Sequence, residues 1–258
     1  MKLTILVDNN TLIDRYFFGE PGVSYFIEDG KTRILFDVGY SDIFIKNAQK
    51  IKINLLKLDF LVISHGHIDH TGGLESLIKL HTEAILEKLD LKKPTVIAHP
   101  EAFMTKTVAG LQEVGSLISE EKLSQHYKMK LSKVHFWLTD KIVFLGEIER
   151  KNDFEAKSPI GKIIKPDSIE DDFLMDDSAL VYKSKNGLVI ISGCSHSGIC
   201  NIIESAKKIC KDNRIIDVIG GLHLLNPSQK QMMETLDYMK NLNLKKCMLA
   251  TARIWIPG

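Results

Sequence analysis

The stretch that decides the fold follows an apolar run and reads Ser64-His65-Gly66-His67-Ile68-Asp69-His70-Thr71-Gly72-Gly73. It places three imidazoles and one carboxylate, all common metal ligands, within six consecutive positions. Single histidines scattered along a chain are usually surface residues or hydrogen-bonded core residues. A cluster of this density has no packing rationale, because several polar rings would be crowded together for no gain. The stretch therefore predicts a metal site.

The residues around this motif predict where it lies in the fold. The run from Leu58 to Ser64 is apolar and rich in branched side chains, which favours a buried strand. Gly66, and then Gly72 and Gly73, favour a tight turn that leads into a helix. The metal-binding side chains are therefore expected at the C-terminal end of a strand, where the sites of layered α/β folds commonly lie.

The spacing of the motif favours two ions. His65 and His67 are separated by one residue on an extended backbone and can clamp one ion, while Asp69 and His70 face a second position beside it. Imidazoles with one carboxylate suit zinc, iron or manganese better than calcium or magnesium, which prefer oxygen ligands. Two ions about 3.5 to 4 Å apart lower the pKa of a shared water and supply hydroxide. The motif alone therefore predicts a hydrolytic site.

The composition argues against several classes of function. The 258 residues include 34 basic and 33 acidic ones, so the formal net charge of +1 gives no field that attracts nucleic acid or a membrane. Residues 1–8 resemble a first strand and not a signal peptide, and no run approaches the length of a membrane span. The four cysteines form no C-x-x-C pair. We expect a cytoplasmic protein without a disulfide framework.

Strand and helix signals cover the whole chain. Two strand-rich halves, each followed by helices, predict an α/β fold with two packed mixed sheets and helices outside, in a single domain over residues 1–258. Asn186-Gly187 between two apolar runs predicts a hairpin. The pattern weakens over 106–132, which we interpret as an irregular insertion or a helical lid. The polar run 151–177 is interpreted as a long loop.

The segment from Ser192 to Gly198 repeats the logic of the first motif, with an apolar strand, a glycine, polar side chains and a helix start. His196 is its best candidate for a further metal ligand. The alternative is that Ser195 or Ser197 only caps the following helix. Cys194 is either a soft ligand or a buried structural thiol, and the sequence does not separate the two.

Three further residues follow predicted strands. His223, after Gly220-Gly221, is expected to bind metal, act as a general acid or hold an anionic group of the substrate. Asp37 either orients a metal-bound histidine or simply forms a turn before Gly39. His99 is a weaker candidate, because a histidine before a proline at a helix start is commonplace.

These motifs resemble the metallo-β-lactamase superfamily, whose His-x-His-x-Asp-His signature stands here at residues 65–70. Within it, the chain is similar to the group of the methanopterin-pathway dihydropteroate-synthase-like proteins. That similarity rests on the first motif and on Gly146–Arg150 with Phe154-Glu155, Asp176-Asp177, Gly193–Gly198 and Gly220–Leu224. The resemblance covers nearly the whole chain in order.

The resemblance implies a four-layer αβ/βα sandwich with a dinuclear site at one edge of the two sheets. Carried over by position, His65 and His67 hold one metal ion, Asp69 and His70 hold the other, and His196 completes the cluster. We expect two zinc ions, with manganese or iron as alternatives. Cys194 falls where many relatives place a bridging carboxylate. Relatives usually add a histidine from the last strand, yet residues 245–258 contain none.

Our first expectation for the function is a dinuclear metal-dependent hydrolase that cleaves a phosphoester or related ester through a metal-bound hydroxide. Asp69 would position the water, and His223 would contact a small anionic substrate or its leaving group. The resemblance implies an alternative, the condensation of a dihydropterin with an aminobenzene ribosyl phosphate, in which a Lewis acid expels a phosphate-type leaving group. A second alternative, a catalytically weak metal-binding protein, follows from the missing terminal histidine.

Overall fold

The apolar run before the histidine motif forms a short buried strand, as its composition predicts. A computed structural model of the protein describes residues 1–12, 14–242, 244 and 246–249. Its strands are β1 (Lys2–Val7), β2 (Ser24–Asp29), β3 (Thr32–Phe36), β4 (Phe60–Val62), β5 (Thr95–Ala98), β6 (Thr105–Thr107), β7 (Lys128–Leu131), β8 (Phe136–Trp137), β9 (Ile142–Phe144), β10 (Gly161–Lys165), β11 (Ser168–Asp172), β12 (Ala179–Ser184), β13 (Gly187–Ser192), β14 (Ile215–Gly220) and β15 (Lys246–Leu249).

The helices connect these strands and cover them. They are α1 (Ile43–Lys50), α2 (Ile68–Thr71), α3 (Leu74–Leu86), α4 (Glu120–Ser124), α5 (Ile199–Cys210) and α6 (Gln229–Asn241), with a 3₁₀ helix at Pro100–Phe103. Among the described residues, no helix is both long enough and apolar enough to cross a membrane.

Two six-stranded sheets carry most of the strands. The first has the order β1-β2-β3-β4-β5-β7 and the second the order β15-β14-β13-β12-β9-β8. Both are mixed: β3, β4, β5 and β7 run parallel in the first sheet, and β13, β14 and β15 run parallel in the second. The hairpin predicted at Asn186-Gly187 joins the antiparallel pair β12 and β13. A smaller sheet has the order β11-β10-β6.

Side chains that point alternately to the two faces of the strands pack in separate clusters and so build the four layers. Ile34 and Phe36 of β3 face a buried cluster that contains side chains of both large sheets, including Phe144 and Ile191. Leu35, between them, packs in a second cluster on the other face with the helices α1 and α3. A third cluster packs α5 and α6 against the outer face of the second sheet. The predicted αβ/βα sandwich, with two packed mixed sheets and helices outside, is confirmed.

Two segments differ from their sequence interpretation. Residues 151–177 are not a structureless loop, because β10 and β11 form a hairpin there that pairs with β6. Strand β11 is almost wholly exposed, so it lacks the apolar alternation that marks a half-buried strand. For residues 106–132 the helical lid is not observed, because their one helix, α4, has five residues and the segment ends in β7 of the first sheet. Residues 108–119 form irregular structure, which fits the alternative of an irregular insertion. The small sheet is absent from the predicted architecture.

The C-terminal ends of β4 and β13 meet where the two large sheets touch. A Cβ atom on Gly193, just after β13, would lie 2.2 Å from Ser64 Oγ, just after β4. Any larger side chain at position 193 would therefore push the two strand ends apart. The close approach brings the loops that follow these strands to one edge of the sandwich.

Candidate metal centre

Side chains from two strand ends form a group of three imidazoles. The ring centroids of His65 and His67 are 4.8 Å apart. The ring centroid of His196 lies 4.7 Å from that of His65 and 4.8 Å from that of His67. His65 and His67 follow β4, and His196 follows β13. The structure thus brings together two loops that are more than a hundred residues apart in the sequence.

Two of these imidazoles, His65 and His196, carry buried nitrogens that no residue in the described part of the chain binds. Nε2 of His65 and both ring nitrogens of His196 lack a hydrogen-bond partner among the described residues. Burial, followed by the nearby imidazoles, lowers the pKa of His65 and of His196 well below the ordinary value. Burial also lowers the pKa of His67 to about 4. Neutral, unpaired imidazole nitrogens are the form that binds a metal ion, so these residues fit one.

Cys194 belongs to two groups of potential ligands. Its Sγ, with ring nitrogens of His65 and His196, forms one set whose atoms all lie within 4.8 Å of one another. The same Sγ forms a second such set with Asp69 and His70. Nε2 of His70 lies 3.1 Å from the sulfur and 3.7 Å from Asp69 Oδ2. The sequence did not decide whether Cys194 is a ligand or a structural thiol. In the structure its sulfur lies where the two groups of potential ligands meet.

The second group, which consists of Asp69, His70 and Cys194, is strongly polar although His70 is fully buried. Burial alone would lower the pKa of His70, but Cys194, Asp69 and Asp37 raise it well above the ordinary value. Burial raises the pKa of the Cys194 thiol, although His70 opposes this effect. A coordinated cation reverses both tendencies, because it favours thiolate and neutral imidazole. The donor set of nitrogen, sulfur and one carboxylate suits zinc.

Asp37 contacts the candidate metal centre through His70 and Ser64. Its Oδ2 lies 2.7 Å from His70 Nδ1, and its two oxygens accept hydrogen bonds from the N–H and the hydroxyl of Ser64. The orienting role that the sequence suggested for Asp37 requires contact with a candidate metal-binding histidine, and Asp37 contacts one, His70. Because Nδ1 is engaged, Nε2 of His70 is the nitrogen that faces the sulfur.

His223 joins the cluster at its outer side. Its ring centroid lies 4.1 Å from that of His196, and the side chain is exposed. Its backbone has a φ of +47°, a left-handed conformation that directs the residue out of the extended path of β14. His223 thus lies beside the imidazole group and in contact with solvent.

A cavity of about 230 Å³ opens onto these side chains. His67, Asp69, Cys194, His196 and His223 line it together with residues 9, 21, 22 and 225. The last four were missed in the sequence interpretation. Asn9, Pro21 and Gly22 lie in the irregular connection between β1 and β2, which carries no motif, and only folding brings it over the strand ends.

His99 lies outside both ligand groups. Its Nδ1 accepts a hydrogen bond from the Glu101 N–H, and its Nε2 lies 3.1 Å from Glu147 Oε2. The histidine thus caps the 3₁₀ helix, and both ring nitrogens are occupied. The sequence interpretation of the last strand concerns residues 245–258, of which 245 and 250–258 lie outside the described residues.

Known proteins are similar to this chain in both sequence and fold. The model of the metallo-beta-lactamase superfamily matches residues 18–98. A 7,8-dihydropterin-6-methyl-4-(beta-D-ribofuranosyl)-aminobenzene-5'-phosphate synthase of Methanocaldococcus jannaschii is 31% identical over 259 residues, covering 95% of this chain and 85% of that protein. An uncharacterized protein of the same organism is 32% identical over 242 residues, covering 93% and 86% respectively.

A solved structure extends the similarity to three dimensions. Tm1679, described as a metal-dependent hydrolase of the beta-lactamase superfamily, superimposes with a TM-score of 0.79 at 27% identity, covering 96% of this chain and 87% of that one. The chain belongs to the metallo-β-lactamase superfamily, in the group that includes the dihydropterin-aminobenzene phosphate synthase. Membership implies metal binding, and the two ligand groups around Cys194 are candidate places for it.

The expectation of a phosphoester hydrolase is wrong. The curated relative that aligns with 95% of this chain is named as a synthase and not as a hydrolase. The error has a physical origin, because the histidine motif specifies how metal ions are held and not which nucleophile attacks. A Lewis acid polarises a phosphoryl oxygen in either case, whether water attacks at phosphorus or an amine attacks the carbon that bears the phosphate.

Proposed function

We propose that the protein is a metal-dependent synthase that joins a 7,8-dihydropterin to an aminobenzene ribosyl phosphate. The observation that carries the proposal is the 31% identity to the named synthase over nearly the full length of the chain. The shared length includes the two strand ends that bear the histidines. The substrates are small molecules, and at least one of them is anionic.

The proposed reaction forms one bond and breaks one. The amine nitrogen of the aminobenzene attacks the methylene carbon on C6 of the dihydropterin, and the carbon–oxygen bond to a phosphate-type leaving group breaks. The leaving group departs with the electron pair, and the nitrogen loses a proton. No redox step is needed.

The proposed ligand sets follow the two groups of side chains. His65, His67 and His196 hold one ion, Asp69 and His70 hold the other, and Cys194 contributes its sulfur to both. The unpaired nitrogens of His65 and His196 support this assignment. We propose zinc in both sites, with manganese or iron as alternatives. When bound, the metal supplies a Lewis acid for the oxygen of the leaving group.

In this proposal one residue of the cavity lining, His223, acts on the substrates, and another, Asp69, borders them. His223 is exposed beside His196, where an imidazole nitrogen can accept the proton that the amine loses. Asp69 lines the same cavity while its Oδ2 stays 3.7 Å from His70 Nε2. The carboxylate therefore links the ligand group to the space that the substrates occupy.

Part of the cavity lining is apolar in this proposal and excludes water. Pro21, Gly22 and Leu225 contribute to that lining and offer no side-chain hydrogen-bonding group. An amine competes with water for the same activated carbon, so a wall that displaces water favours coupling over hydrolysis.

The test is to mix the zinc-loaded protein with both substrates, the dihydropterin carrying a phosphate-type leaving group on its 6-methyl carbon. Mass spectrometry should detect the coupled product only when both substrates and the metal are present. Asp69→Ala protein serves as the negative control. Absence of coupled product from wild-type protein with two bound ions would reject the proposal.

A further inference from the structure

Three consecutive residues after the β10–β11 hairpin contact both ligand loops. Asp176 Oδ2 accepts a hydrogen bond of 2.7 Å from the N–H of Gly66, which stands between His65 and His67. Asp177 Oδ2 accepts bonds of 2.8 Å and 2.5 Å from the N–H and hydroxyl of Ser197, the neighbour of His196. The segment thus holds one loop with one carboxylate and the other loop with the next.

The backbone of the same segment continues the connection. The Ser178 N–H donates to the Ser64 carbonyl at 2.9 Å, so the segment is tied to the start of the first loop as well. Asp176, Asp177 and Ser178 are all buried. The spacing between the β4 loop and the β13 loop is therefore bridged by three residues of a third segment.

A buried lysine holds Asp176 in place. Lys106 Nζ, on β6, lies 2.9 Å from Asp176 Oδ1 and 3.2 Å from Asp172 Oδ2, and the lysine side chain is 1% exposed. Burial alone would lower the pKa of Lys106, but Asp176 and Asp172 raise it above the ordinary value. The lysine is thus charged and directs one oxygen of Asp176, which leaves the other for Gly66.

Stability alone does not explain this network. Burying a lysine with two carboxylates costs desolvation energy, and well-packed apolar side chains of similar volume are often as stable. The backbone at Gly66 is tightly fixed on its other side, because a Cβ atom there would lie 2.2 Å from the Ala102 carbonyl oxygen. A carboxylate on one side and the 3₁₀ helix on the other leave the first loop little freedom.

We infer that Lys106, Asp176 and Asp177 are positioning residues that set the distance between the imidazoles of the β4 loop and that of the β13 loop. We call these three residues the aspartate clasp. The inference rests on the proposed metal ligands and is independent of the reaction. Supporting partners of ligating residues typically change metal affinity about 10- to 100-fold when removed.

The test measures zinc dissociation constants by chelator competition on protein first freed of metal. The main variant combines Lys106→Met with Asp172→Asn, which removes one positive and one negative charge and so keeps the net charge of the buried group. Its matched control combines Lys162→Met with Asp171→Asn, an exposed pair 2.8 Å apart on the β10–β11 hairpin, which also carries Asp172. Circular dichroism and chemical unfolding of the metal-free proteins show that each variant is folded.

We expect the Lys106 and Asp172 double variant to bind zinc about 10- to 100-fold more weakly, with the control unchanged. Asp176→Asn and Asp177→Asn should each show the same direction of change. Wild-type affinity in folded clasp variants would overturn the inference, and so would unfolding of all of them without metal, since the residues would then serve stability. Failure of the wild-type protein to bind zinc would instead reject the proposed metal sites.

Discussion

Asp37 and His70 meet in the interior, where Asp37 Oδ2 lies 2.7 Å from His70 Nδ1 and neither side chain is exposed to solvent. A carboxylate can only accept a hydrogen bond, so the proton lies on Nδ1 and leaves Nε2 for a metal ion. The same carboxylate binds Ser64 at the start of the ligand loop. One residue thus fixes both the loop and the orientation of an imidazole at its far end.

Replacing Asp37 by asparagine should weaken zinc binding about 10- to 100-fold, because the amide cannot satisfy Ser64 and His70 together. Asparagine tolerates the left-handed backbone at this position, where φ is +54°, so the turn itself is kept. Chelator competition measures the change. Asp59→Asn is the control. Asp59 lies just before β4, accepts a hydrogen bond from the Arg33 backbone N–H and belongs to neither ligand group. Equal affinities of the two variants would contradict the role of Asp37.

Cobalt substitution should reveal the sulfur of Cys194. A thiolate bound to cobalt gives a charge-transfer absorption in the near ultraviolet, so the cobalt-loaded wild-type protein should show this band and Cys194→Ser protein should lack it. Cys210→Ser provides the control, because Cys210 is buried in α5 and belongs to neither ligand group. A band that survives in the Cys194 variant would show that the sulfur is not a ligand.

Replacing His223 by asparagine should separate substrate chemistry from metal binding. We expect turnover to fall about 10²- to 10⁴-fold, which is typical for the loss of a general acid or base, with the zinc content unchanged. Asparagine is chosen because it tolerates the φ of +47°. The exposed His135 provides a matched control as His135→Asn. Loss of zinc together with turnover would mean that His223 is a ligand.

The core between the sheets should dominate stability. Phe144 is fully buried in the cluster shared by both large sheets, so Phe144→Ala should lower the free energy of unfolding by about 3 to 5 kcal/mol. Ile164→Ala is the control, since that side chain is 40% exposed on the small sheet, and its effect should be about 0.5 kcal/mol or less. Chemical unfolding of the metal-free proteins measures both. Similar losses would argue against the packing described.

Local signals made the first half of the candidate site predictable as a cluster of side chains. His65, His67, Asp69 and His70 lie within six residues of one another, so their proximity needs no knowledge of the fold. His196 and His223 could be suggested because each follows an apolar strand and a glycine. The C-terminal ends of strands in a layered α/β fold lie at a common edge, so both histidines could be expected near the first motif.

The contacts made through distant segments were not predictable in this way. Lys106 and Asp176 are 70 residues apart, and the strands that bring them together form a sheet with no clear alternation. Lys106 appears in the sequence as an ordinary polar residue between two threonines, with nothing to indicate that it is buried. The double membership of Cys194 also depends on distances between two loops, which no spacing within one loop reveals.

The measurement that tests the central claim most directly is the ratio of coupled product to released leaving group in the zinc-loaded protein, with and without the aminobenzene ribosyl phosphate. The proposed synthase predicts a ratio near one and a release that depends on the amine. Release at the same rate without the amine, with no coupled product when it is added, would contradict the proposal.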